Sequence, residues 1–212
     1  MGGRGSSSTR GGATGGVSGG KILSTTSLIS ARETKQAEVD QVLTTLRTVA
    51  EQYGQDLNDV QLAKMAPGSS AMAYYDSQGN LAINEAYFDG KTMEAAYDMC
   101  VKSGFHPPRG SKTAMEAVAA HEVGHHLTEI AGMRKGYGTW QLDRVSTDIM
   151  RDAASRLGLR GASTLSAKIS GYAKDSHAEA VAEAFADVYC NGDRASAESR
   201  AVVEVLGEYL RR

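Results

Sequence analysis

The 212-residue sequence predicts an α+β fold, a small antiparallel β-sheet or hairpin followed by a helical body. Two changes of periodicity predict it. Between residues 60 and 88 short runs alternate apolar and polar residues about a turn-forming stretch. From residue 91 onward apolar residues recur at three- and four-residue spacing instead. A third observation is the pattern H-E-x-x-H over residues 121–125, which needs a helix to place both histidines on one face.

Taken in order, residues 1–20 hold nine glycines among Ser, Thr and Arg, with almost no apolar side chains. Such a stretch cannot bury enough surface to fold, so a disordered tail is expected. It carries no hydrophobic signal-peptide core, so synthesis in the cytoplasm is expected, with virion association or non-classical export left open. Met1 to Ser6 fits an N-myristoylation pattern, as glycine-rich starts often do. Residues 15–21 nearly form a phosphate-binding loop, but Ile22 stands where Ser or Thr is required and no strand precedes it, which argues against a nucleotide site.

Residues 21–212 are expected to form one domain. Val39, Val42, Leu43, Leu46, Val49 and Ala50 mark an amphipathic helix over 35–53. Strands are expected at 60–65, 71–75 and 81–88, with a hairpin turn at 76–80. Helices follow at 91–102 and at 113–131. Leu142, Val145, Ile149, Ala153 and Leu157 mark another, and Val202, Val205, Leu206, Tyr209 and Leu210 a last one.

The helix at 113–131 opens with Thr113 and Glu116 at capping-box spacing, and Gly132 is the expected stop. Ala119, Val123, Leu127 and Ile130 form its apolar stripe, with His121, Glu122 and His125 on a neighbouring face. Two histidines one turn apart can grip one zinc ion. Glu122 then lies beside the metal's open position, where a carboxylate can serve as general base in peptide hydrolysis. Gly124 weakens the helix by about 1 kcal/mol relative to alanine, which suggests close packing beside the site. His126 points about 100° away from His125 and belongs to another face. His106, in Phe-His-Pro-Pro, reads as a loop residue.

Catalytic zinc takes three protein ligands and a water. The third is sought between 172 and 187, where Glu179, Glu183 and Asp187 form one stripe and Val181, Phe185 and Val188 another. No Lys or Arg is spaced to pair with these acids, and flanking alanines allow another helix to approach. Glu179, Glu183, His177 and Asp187 are all candidates.

H-E-x-x-H followed by E-A-x-A-E-A-F resembles the gluzincin peptidases, and most of all the catalytic domain of the anthrax lethal factor family. The resemblance implies a zincin-like domain over 21–212, with Glu179 as third zinc ligand and Glu183 supporting a ligand histidine. It implies that Tyr172, seven residues before Glu179, stabilises the oxyanion. It also implies a small sheet above the zinc helix whose edge strand pairs with a protein or peptide substrate in extended conformation; Leu81, Ala82, Ile83 and Asn84 are the candidate edge. The implied activity is zinc-dependent endopeptidase. Two other readings stand beside it: a phage or prophage structural or accessory protein with a non-catalytic zinc site, and a secreted effector or toxin metallopeptidase. The opening Gly-Gly-Arg-Gly-Ser-Ser-Ser is similar to the starts of prophage proteins.

Composition narrows the partners. With 23 Lys and Arg against 25 Asp and Glu and no basic cluster, nucleic-acid binding is not expected. No apolar run reaches the roughly 20 residues of a membrane span. Cys100 and Cys190 are too few for a disulfide framework, though one bridge is open. The oligomeric state is not legible.

Overall fold

The computed structural model describes residues 44–45, 47–49, 51–52, 60–63, 72–75, 81–84, 90–138 and 141–211. The expected tail at 1–20, the hairpin turn at 76–80 and much of the helix at 35–53 lie outside them. Residues 44–45, 47–49 and 51 are helical, and Val49 is buried in the main core.

The expectation of an α+β fold with a β-hairpin is overturned, because the protein is mostly helical. Among the described residues, strands are confined to β1 (Val60–Ala63), β2 (Ala73–Tyr75) and β3 (Leu81–Asn84). These segments are three or four residues long, against helices of up to 21 residues. Nor is the pairing wholly antiparallel. The order is β1-β3-β2, with β3 parallel to β1 (Val60 opposite Leu81) and antiparallel to β2 (Ala73 opposite Ile83). The alternation over 60–88 was real, but strand pattern over so few residues does not decide a fold class when every long element is helical.

This topology also corrects the substrate-edge assignment. Leu81, Ala82, Ile83 and Asn84 make the central strand, with both hydrogen-bonding edges taken by neighbours. An extended peptide needs an unpaired edge to add to.

The helical body comprises α1 (Gly90–Lys102), α2 (Ala114–Arg134), α3 (Leu142–Arg156), α4 (Ala162–Ile169), α5 (His177–Asn191) and α6 (Ala197–Arg211), with 3-10 turns at Tyr172–Lys174 and Gly192–Arg194. Helix α2 starts as its sequence demands: Thr113 Oγ1 accepts from Glu116 N at 3.1 Å, and Glu116 Oε2 accepts from Thr113 N at 2.8 Å. It does not stop at Gly132. It runs to Arg134 because Gly132 lies against Val145 of α3, and Gly136, at φ +80°, follows the end.

Helix α2 is buried on almost every side, not along one stripe, because α5 covers the face that carries the histidines. Ser176 caps α5 by accepting from Glu179 N at 3.1 Å. The core is filled by Val123 and Leu127 of α2, Val145, Ile149 and Met150 of α3, Val181 and Phe185 of α5, and Val202, Val205 and Leu206 of α6. Burying one such aliphatic or aromatic side chain contributes about 1.5–3 kcal/mol. Among the described residues no helix is long and apolar enough to cross a membrane. Cys100 and Cys190 are both free thiols.

Candidate metal centre

Helices α2 and α5 meet where side chains are smallest. A Cβ on Gly124 would stand 2.9 Å from Ala182 Cα and 3.1 Å from Phe185 Cβ. This approach sets the two motif histidines opposite the acidic stripe of α5. His121 Nε2 lies 3.1 Å from Glu179 Oε2, His125 Nε2 lies 3.3 Å from the same oxygen, and the two Nε2 atoms are 3.2 Å apart. All three side chains are buried, and together they form a group that could hold a metal ion.

Glu183, one turn along α5, holds the far side of His121. Its Oε1 accepts from His121 Nδ1 at 2.9 Å. A carboxylate can only accept, so His121 Nδ1 carries a proton, and Nε2, facing Glu179 and His125, is the nitrogen left to meet a metal. Glu183 Oε2 accepts from Ser170 Oγ at 2.8 Å. His106 Nδ1 also donates to Glu183, 3.0 Å from Oε1 and 3.1 Å from Oε2.

Electrostatics follow from this crowding. Burial pushes the His121 pKa down, but Glu179 and Glu183 outweigh it and raise it well above the ordinary imidazole value. Burial works against ionising Glu179, yet His125 and His121 hold its carboxyl well below the usual range. Glu183 is likewise opposed by burial and is pulled down to about 2 by His106 and His121. Glu122 differs. Burial raises its pKa, only partly offset by His121 and His125, and its Oε2 is buried with no hydrogen-bond partner. A buried carboxylate oxygen left unpaired is rare and costly, and points to a missing partner.

Tyr172 sits on the 3-10 turn before α5, its ring stacked on His121 at 5.7 Å and 20°. Burial, together with the nearby carboxylates of Glu179, Glu122 and Glu183, raises the pKa of its hydroxyl strongly. The turn is tied to the 104–106 loop: Gly171 N donates to Gly104 O at 2.8 Å and Tyr172 N to Phe105 O at 2.9 Å. A Cβ on Gly171 would meet Gly104 O and Phe105 Cα, each at 3.1 Å, so this junction excludes a larger residue.

The rival ligands are engaged elsewhere. His177 Nδ1 pairs with Thr147 Oγ1 at 2.9 Å. Asp187 accepts from Asn191 Nδ2 at 2.8 Å and from Ser196 N at 3.1 Å, tying α5 to the start of α6. His126 is half-buried and outside the cluster.

Two residues of the centre escaped the sequence reading, His106 and Ser170. For Ser170 the sequence holds no signal. His106 had one: a row of buried acids without Lys or Arg partners calls for histidines, and the chain has only five. No family model, no curated protein and no solved structure matches the chain.

Proposed function

We propose that this protein is a zinc-dependent endopeptidase of the gluzincin type. The observation that carries the proposal is the triangle of His121 Nε2, His125 Nε2 and Glu179 Oε2, with sides of 3.1, 3.2 and 3.3 Å, beside the unpaired Oε2 of Glu122. Four ligands arranged tetrahedrally at roughly 2.0–2.1 Å from zinc stand about 3.3 Å apart, so the three donor atoms fit that ion. Two imidazoles and one carboxylate are also a donor set that zinc favours in catalytic sites. A closed structural site would use a fourth protein donor; among the described residues the cluster has three.

Zinc held there would supply Lewis acidity, making a water easier to deprotonate and polarising a peptide carbonyl. The chain's own groups do the rest. Glu122 Oε2 accepts the proton of the attacking water and returns it to the departing amine nitrogen. The Tyr172 hydroxyl, held protonated by burial and neighbouring carboxylates, donates to the substrate carbonyl oxygen as negative charge gathers there. Glu183 fixes the His121 tautomer through Nδ1.

The test is Glu122→Gln, read by metal analysis and by mass spectrometry of a mixed peptide library. The expected result is one zinc per chain in both proteins, with cleavage by the wild type alone. Wild-type protein that takes up no zinc, or a variant that cuts as fast as wild type, would overturn the proposal.

A further inference from the structure

We infer that His106 is a positioning residue for the metal centre, acting through Glu183 on His121; this rests on the zinc reading above. Three observations carry it. First, Glu183 Oε1 is shared, receiving His106 Nδ1 at 3.0 Å on one side and His121 Nδ1 at 2.9 Å on the other. The carboxylate that orients the ligand histidine is thus itself gripped by a second histidine from a distant loop. With Ser170 on Oε2, Glu183 has three donors and no freedom to turn away from His121.

Second, the His106 ring is locked from two sides. It stacks on Tyr97 of α1 at 5.2 Å and 7°, and the Tyr97 hydroxyl donates to Pro107 O at 3.3 Å. Its edge meets Tyr172 at 5.5 Å and 88°, and Phe105 at 5.0 Å and 68°. A ring placed merely to fill space would not need its one aligned donor on the most buried acid of the cluster.

Third, the loop that carries His106 is fastened to the turn that carries Tyr172 by the two backbone hydrogen bonds at 104–105 and 171–172. Side chain and backbone of one loop therefore reach both His121 and Tyr172. His106 lies outside the group whose donor atoms converge, His121, His125 and Glu179, and its ring centroid is 6.5 Å from that of His121. Partners that orient a metal-bound histidine are typically worth 10- to 100-fold in metal affinity.

The experiment measures zinc dissociation constants by competition with a chromophoric chelator, for the full chain and three variants. His106→Phe keeps an aromatic ring against Tyr97 but has no donor. His106→Asn places an amide nitrogen where Nδ1 stood. His106→Gln places it farther out. The expected result is that His106→Phe and His106→Gln bind zinc about 10- to 100-fold more weakly, while His106→Asn stays near wild type. Thermal unfolding of the metal-free proteins checks that each is folded; if the Phe variant is not, the Gln-to-Asn contrast carries the test. Equal affinity of the folded variants and wild type, or an Asn variant as weak as the others, would overturn the inference and leave the zinc reading standing. Wild-type protein without zinc affinity would overturn both.

Discussion

Gly124 of α2 lies so close to Ala182 of α5 that an added Cβ would stand 2.9 Å from a backbone carbon. That contact sets the separation of His121 and His125 from Glu179 and Glu183. A Gly124→Ala substitution gains about 1 kcal/mol of helix propensity. Against that gain, overpacking costs roughly 1–3 kcal/mol, and the Ala182 backbone cannot rotate away as a side chain would. The expected outcome is a net loss of stability in urea unfolding together with weaker zinc binding, because the helices must part at the site. A variant more stable than wild type with unchanged zinc affinity would show that the approach does not set the geometry.

Under the proposed mechanism, Tyr172 separates catalysis from metal binding. Its ring stacks on His121, and it is not among the metal-capable group. Tyr172→Phe keeps the ring that stacks on His121 and removes the donor alone. Loss of one oxyanion donor costs about 10²–10³ in kcat. Steady-state kinetics on a cleaved peptide should therefore show kcat falling by that factor, with KM and bound zinc little changed. A fall in zinc content instead would assign the hydroxyl to holding the ligand Glu179.

The capping box of α2 gives a pH-dependent prediction away from the site. Glu116 accepts from Thr113 N and pairs with Lys112 Nζ at 2.9 Å. Burial opposes its ionisation, but these partners lower its pKa below the ordinary value. A carboxyl depressed in the folded state stabilises fully above its unfolded pKa, and that stabilisation disappears as pH falls through the folded one. Wild type should therefore be more stable than Glu116→Gln at neutral pH, and the difference should shrink once pH drops below the normal carboxylate range. Thr113→Ala should cost about 1 kcal/mol with little pH dependence of its own. Denaturant midpoints across pH 2–7 check both; a Glu116→Gln difference that is flat with pH would remove the ionised cap from the account.

The site was more legible than the fold, for a physical reason. His121, Glu122 and His125 lie within five residues, and Glu179 and Glu183 one turn apart, so each group is a local helical pattern that survives any tertiary arrangement. Thr113 and Glu116 are local in the same way. The sheet depended on a parallel pairing of β3 with β1 across 21 residues, and nothing in Leu81 to Asn84 says that it will have a neighbour on each side. The same limit hid His106: its partner Glu183 is 77 residues away, and a loop histidine before two prolines has no period to read. Gly132 misled because a glycine near a helix end usually marks the end, whereas here it admits Val145.

Removing the metal should loosen the site without unfolding the protein. The core of Leu127, Ile149, Phe185 and Leu206 closes independently of the cluster. Within the cluster, His121 already bridges Glu179 and Glu183, so the metal-free centre leaves neither carboxylate without a partner. Small zinc folds whose core is the metal itself behave oppositely and collapse on chelation. Here zinc adds only its binding free energy, about 4 kcal/mol at a thousandfold excess over Kd. At roughly 2–4 °C per kcal/mol for a chain of this size, treatment with a chelator should lower Tm by about 8–16 °C while far-UV circular dichroism at 25 °C stays helical. Restored zinc should return the Tm. A chelated protein that loses its helical spectrum at 25 °C would mean that the metal, not the apolar core, holds α2 against α5.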